Sequence, residues 1–369
     1  MKIGLILTND WELFGDGTGD FFDLQFHPLI NLMELLDKYN ANITIMAETG
    51  QQLAFLKSTN EQHQLCATSW ESVLKKVIAS GSDVQLHYHP QWYNVKFTQD
   101  KWNLNLGNWK LSSLDSHAMV IKLKEAKDYL EKVIKEEKHD YKCRVFRAGS
   151  YCIQPAGEPI NALKKIGILA DSSVTKDYKN DGFFDYTNAA SNLIPYRTSK
   201  EFIEKKGEDG LIEFPIYSEN IYHSEAIKKY SKESYYSWFH KINVPHDEIL
   251  WQLEKEKTKD EKYPRSQRYY KKNEGKSLKW YFSKIIQKSA IQLDYDNLPA
   301  TIFVNMLKNI IKSNKDDDRI IPVVASGHLK DIHNLKNIEK ILNLIKTEIE
   351  EDIIYWTFDT ALNYWEKKV

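Results

Sequence analysis

Asp83-Val84-Gln85-Leu86-His87-Tyr88-His89-Pro90 is the stretch on which the reading of this chain turns. The run passes into two histidines and stops at a proline, which reads as a strand and its exit. Side chains two apart on a strand point to one face. Both imidazoles therefore project together from the strand's end. The N-terminus repeats the arrangement with acids: Met1 to Thr8 reads as a strand, and Asp10 and Glu12 follow it, again two apart. Two histidines and an acid on adjacent strand ends have the makings of a catalytic metal site.

Strand-like and helix-like runs alternate on both sides of this pair. Leu29, Leu32, Leu35 and Leu36 give Pro28 to Lys38 a helical period. Asn42 to Ala47 reads as a strand, Trp70 to Ala79 as a helix and Ala118 to Lys135 as a longer one. Arg144 to Arg147, Ile168 to Ser172, Leu211 to Ile216, Ile320 to Ser326 and Ile353 to Thr357 read as further strands. Between them fall helices at Glu158 to Lys165 and at Leu335 to Glu348, the latter capped by Asn334. Such alternation predicts an α/β fold of parallel strands with helices outside, closed as a barrel or distorted (β/α) barrel of seven or eight strands. Chemistry then gathers at the C-terminal strand ends. Tyr217 to Asn314 interrupts the pattern. This Lys-, Tyr- and Glu-rich stretch has helical signals at Glu248 to Lys257, Leu278 to Lys288 and Thr301 to Lys312. We divide the chain into a barrel of residues 1–216 and 315–369 and a mainly helical insertion, 217–314, over the barrel mouth. That insertion serves either as packing or as a lid that touches substrate.

Composition limits the partners. The 369 residues suffice for one large domain or two ordinary ones. Fifty-one basic residues balance 52 acidic ones, so nothing argues for a nucleic-acid or acidic-lipid surface. Ten Trp and 21 Tyr suit sugar-binding platforms as well as ordinary cores. Cys66, Cys143 and Cys152 are too few and too scattered for a disulfide framework, which fits a reducing, cytoplasmic compartment. The apolar run from Ile3 to Leu7 is too short for a signal peptide, and no stretch is long enough to span a membrane.

Further candidates lie at other strand ends. Gly15-Asp16-Gly17-Thr18-Gly19-Asp20 has neither dinucleotide-binding nor EF-hand spacing and reads as a mouth loop. Trp92, just past Pro90, can wall a pocket. Arg147 either makes an ion pair at a strand end or holds a carboxylate ionised. The turn Gly149-Ser150-Tyr151 after it can aim a backbone N–H at a developing oxyanion. Asp171-Ser172-Ser173 shapes a sugar subsite or closes a turn. His328, on a glycine-bearing turn flanked by Lys330 and Asp331, is a candidate general acid.

Taken in order, these residues resemble the motifs of the polysaccharide deacetylase superfamily, the NodB-homology fold of carbohydrate esterase family four. The resemblance spans most of the chain outside the insertion and is similar in pattern to the WbmS-like branch associated with O-antigen clusters. It implies a distorted barrel of about seven strands. It also implies Asp10 as catalytic base, Glu12, His87 and His89 as metal ligands, Arg147 and Tyr151 in a third motif, Asp171 in a fourth, and His328 as general acid. Ser150 and Tyr151 would share the oxyanion, and Trp92, Ser150 and Asp171 would border the substrate. The sequence departs from the common motifs. Its acids are two apart in Thr8-Asn9-Asp10-Trp11-Glu12, its histidines are separated by Tyr88 alone, and the third motif lacks its proline. The implied activity is metal-dependent removal of an N-acyl group, acetyl above all, from an amino sugar that is free, nucleotide-linked or lipid-linked. Zinc suits the ligands best, with cobalt, manganese or nickel as substitutes. The alternatives are a catalytically silent sugar-binding protein on the same barrel and a hydrolase of a non-sugar amide. The sequence leaves the oligomeric state open.

Overall fold

The computed structural model describes residues 2–180, 182–222, 288–331 and 335–369. Eight strands define its centre: β1 (Lys2–Trp11), β2 (Ile43–Glu48), β3 (Asp83–Tyr88), β4 (Val145–Ala148), β5 (Ala170–Asp171), β6 (Ile212–Glu213), β7 (Ile320–Ala325) and β8 (Ile353–Tyr355). They pair in parallel in the order β6-β5-β4-β3-β2-β1-β7, with β8 also beside β1 and a short antiparallel strand, Tyr196–Arg197, on β6. Strands β2 and β3 are buried at every position, and β1 at all but its first, as parallel strands covered on both faces must be. Ile216 forms parallel bridges to Thr175 and to Val324, and the Tyr217 N–H donates to the Val324 carbonyl at 3.0 Å. These links join the two ends of the sheet and give a distorted (β/α) barrel.

Helices α1 (His27–Asp37), α2 (Thr49–Lys57), α3 (Glu61–Ala79), α4 (Ser116–Ile134), α5 (Gly157–Lys165), α6 (Ala300–Ser313), α7 (Lys336–Glu348) and α8 (Phe358–Trp365) accompany the strands. Helix α1 buries the four leucines that set its period, each worth about 1.5–3 kcal/mol in transfer free energy. Helix α3 begins nine residues before the expected Trp70. Asn60 caps it by accepting from Gln62 and His63 N–H, and a polar first half hides its period. Trp70 packs on Trp11 with ring centroids 5.7 Å apart. Helix α7 starts with Leu335 at its N-cap position and no side-chain cap; Asn334 lies outside the described residues.

The expected helix at 248–257, nearly all of that at 278–288, and the basic run at 265–276 also lie outside the described residues. The stretch 223–287 is bracketed by an antiparallel pair, Ser218–Tyr222 with Lys288–Gln292. Residues 293–313, grouped with the insertion on sequence grounds, put Leu293, Tyr295, Ile302, Phe303 and Met306 into the core. The three cysteines are free and buried. No described helix is long and apolar enough to cross a membrane.

Candidate functional site

The pleat of β1 sends Trp11 into the core and Asp10 and Glu12 to the opposite side. The strand runs through Trp11, so Asp10 is not in a loop after it, as the sequence suggested, but inside the ladder, opposite Met46 of β2. That register fixes the carboxylate more firmly than a loop would. His87 is the penultimate residue of β3, and His89 follows one residue past the strand's end. Their rings lie 4.8 Å apart at 70°. The His87 Nδ1–H donates to the Arg147 carbonyl at 2.9 Å, which sets the tautomer and leaves the Nε2 lone pair facing Glu12 Oε2 at 3.4 Å. His89 Nδ1 is 2.8 Å from Glu12 Oε2 and 3.3 Å from Glu48 Oε2.

Glu48 is the residue that the sequence reading missed. It ends β2 and caps α2, where its Oε1 accepts from the Gly50 N–H at 2.7 Å and the Gln51 N–H at 3.3 Å. A helix cap is ordinarily Ser, Thr, Asp or Asn, and a fully buried Glu costs more in desolvation than a cap returns. Burial, with the Glu12 charge adding to it and His89 opposing, pushes the Glu48 carboxyl up to about 8. Its second oxygen has no hydrogen-bond partner. Neither do Glu12 Oε2, His87 Nε2 and His89 Nε2. One ligand atom from each of Glu12, Glu48, His87 and His89 fits within 4.8 Å, all four residues buried. Buried polar atoms left without partners call for an explanation. Two carboxylates and two imidazoles converging in this way suit a divalent cation. A signal was available: Glu48 is an acid at a strand exit between the two strands already singled out.

Room for this arrangement depends on Gly149. A Cβ there would stand 1.8 Å from His89 Cδ2, an overlap that would push the ring aside. Ser150 and Tyr151, next in the chain, both have left-handed backbones, with φ of 52° and 59°. Such conformations cost non-glycine residues about 1–3 kcal/mol each and cluster at functional sites.

Arg147 is no surface ion pair but fully buried. Its Nη1 donates to Asp10 Oδ1 at 2.6 Å and Thr8 Oγ1 at 2.8 Å. Its Nε donates to the Ser172 carbonyl at 2.7 Å and its Nη2 to Ser172 Oγ at 3.1 Å. Burial would raise the Asp10 carboxyl, but Arg147, with His87 and His328, outweighs it and holds Asp10 ionised well below the usual carboxylate range. His328 Nε2 stands 3.5 Å from Asp10 Oδ2. Burial opposes the charge on His328, and Asp10 overcomes that, raising the imidazole above its ordinary value. The His328 N–H donates to Asp296 Oδ2, and a Cβ on Gly327 would strike the Tyr295 ring at 2.2 Å. Lys330 does not pair with His328; its Nζ bonds Glu12 Oε1. The Tyr151 hydroxyl lies 3.4 Å from Gln292 Nε2, and Gln292 also bonds Ser326 Oγ, so 288–292 touches two strand-end turns.

Asp10, Glu12, His87, His89, Arg147 and His328 thus come together, with Tyr151 close by and Ser150 partly exposed on the neighbouring turn. Asp171 and Trp92 stand apart. Asp171 is fully buried behind Arg147, accepting from Ser173 N–H and Oγ; burial, with the Asp171 charge beside it, pushes the Glu213 carboxyl well above its usual range. It closes a turn, and Ser173 in that turn accepts from Ala148 N–H. Trp92 walls a cavity of about 920 Å³ with Gly50, Tyr88, Tyr93, Trp102 and Lys122. None of Asp10, Glu12, His87 or His89 lines it.

No family model and no curated protein matches the sequence. Solved structures match the fold. A GH57-type branching enzyme from Pyrococcus horikoshii is 12% identical, with 99% of this chain and 71% of that one covered at a TM-score of 0.51. A protein described as a polysaccharide deacetylase, from Mycobacterium smegmatis, is 10% identical over 100% of this chain and 93% of its own, at a TM-score of 0.48. One described as a polysaccharide deacetylase involved in O-antigen biosynthesis, from Bordetella bronchiseptica, is 13% identical over 58% and 59%, at 0.25. Proteins described as polysaccharide deacetylases are thus among the structures matched, and at 12% identity the branching enzyme shows a likeness of fold alone.

Proposed function

We propose that this chain is a metal-dependent hydrolase that removes an N-acyl group, acetyl above all, from an amino sugar destined for a surface polysaccharide. One observation supports this most: one ligand atom from each of the buried Glu12, Glu48, His87 and His89 fits within 4.8 Å, beside an Asp10 in contact with His328. A divalent ion held by that quartet, zinc being the first choice, supplies polarisation of the acyl carbonyl and a lowered pKa for water.

The chain's own groups do the proton chemistry. Arg147 occupies Asp10 Oδ1 and leaves Oδ2 to take a proton from the attacking water. His328, charged through its contact with Asp10, gives its Nε2 proton to the departing nitrogen. Water adds to the carbonyl carbon, the C–N bond breaks, and the products are a carboxylic acid and a free amine. Backbone N–H groups of the Gly149-Ser150-Tyr151 turn share the developing oxyanion. Because His328 must enter protonated, activity falls as pH rises through its elevated pKa.

The test is acetate release from free, nucleotide-linked and polymeric N-acetyl sugars beside simple amides, with and without chelator. Chelator-sensitive release from a sugar supports the proposal. Release from simple amides alone moves the assignment to a non-sugar amidohydrolase. No turnover of any substrate by metal-loaded protein would favour a silent sugar-binding module.

A further inference from the structure

Lys330 sits in the short helical turn Leu329–Asp331 with its side chain only 8% exposed. Its ammonium donates to Glu12 Oε1 and, at 3.4 Å, to the Leu13 carbonyl. Glu12 is thereby split in function. Oε1 is taken by a cation, while Oε2 faces His87 and His89 without a hydrogen bond. The quartet holds two carboxylates, and Lys330 is the lysine or arginine paired with it among the described residues.

We propose that Lys330 is a positioning residue that holds Glu12 by Oε1, so that a metal meets Oε2 alone, and that offsets the second carboxylate contributed by Glu48. The inference rests on the metal reading of the quartet. It gives two substitutions of opposite sign. Lys330→Met frees Oε1 and removes a positive charge next to a dication, so metal binds tighter by roughly tenfold or more. The same change leaves the metal-free carboxylates without their counter-ion, so metal raises Tm further than in wild type. Lys330→Arg keeps the charge, but its fork spans both oxygens of a carboxylate and competes for Oε2. Metal then binds weaker, by about tenfold or more on the same electrostatic grounds.

The experiment titrates Zn2+ and Mn2+ into the full chain and both variants by competition with a chromophoric chelator, and measures Tm with and without metal. Affinity in the order Met, wild type, Arg supports the lock. So does a Met variant that folds only with Zn2+ present. Both variants binding like wild type overturns it, as does an Arg variant of wild-type affinity beside a Met variant that folds under neither condition. A wild type that binds neither ion is a separate result: it removes the metal reading itself, whereas failure of the lock leaves wild-type binding intact.

Discussion

Two polar clusters lie side by side at the strand ends and are built on opposite principles. Around Arg147 the donors and acceptors close on each other: Asp10, Thr8 and Ser172 take up its N–H groups. Around His89 they do not close, and four buried atoms on Glu12, Glu48, His87 and His89 lack partners. A closed cluster holds one geometry by itself. An open one, equally buried, costs free energy until something from outside completes it. On the proposed reading, Arg147 is the support and the quartet the receptor.

Breaking the closed side has the largest effect. Arg147→Met leaves the buried Asp10 charge without its guanidinium, with His328 still 3.5 Å away, and costs about 3–5 kcal/mol, read as a lowered denaturant midpoint. An unchanged midpoint would mean that the closed cluster supports nothing. Asp10→Asn keeps the quartet, so metal content holds near wild type while kcat drops by about 10²–10⁴-fold. Loss of metal along with turnover would merge the two clusters into one unit.

On the open side, Glu48→Gln separates cap from ligand. Glu48 has a raised pKa in the folded state, so the metal-free protein binds more protons than the unfolded chain between the ordinary glutamate range and about 8. Its stability therefore falls as pH rises through that window, and metal affinity climbs as the proton leaves. The Gln variant flattens its share of both trends and weakens metal binding by roughly tenfold, within the range for lost metal-site partners. A wild-type pH dependence in that variant would assign the trend to other buried acids, of which Asp83 is one. A further break on the open side is Gly149→Ala. Its methyl displaces the His89 ring at a cost of about 1–3 kcal/mol. Metal affinity falls while the Arg147 cluster and the proton-transfer pair stay in place. Calorimetric titration with Zn2+ reads the loss, and wild-type affinity would place His89 outside the ligand set.

The sequence made the barrel and most of the site legible for one reason: parallel strands alternate strictly. A two-residue spacing of acids and of histidines therefore translates directly into a shared face. Arg147 was visible as a residue, but its burial was not, because pairing with Asp10 spans 137 positions of sequence. Helix α2 went unseen because its core-facing positions include Gln51 and Gln52. Gln51 bonds Leu13 N–H and Gln25, and Gln52 bonds the Ala67 carbonyl and Tyr129. Buried amides satisfied in this way leave no apolar period to detect. Glu48 was lost with that helix, since a cap is recognised only when its helix is. Tyr295, which fills the space above Gly327, lies far along the chain in a segment with no motif of its own.

The ring of strands is fastened unevenly. Strands β1 and β2 share five paired residues, and so do β2 and β3, whereas β6 reaches β7 through the single Ile216–Val324 bridge, the Tyr217 N–H bond to the Val324 carbonyl, and residues 293–295, which bond both Tyr217 and Ser326. Thermal opening of a closed sheet starts where the fewest hydrogen bonds must part. Amide hydrogen exchange is thus expected to be faster at this seam than along the wall of β1, β2 and β3.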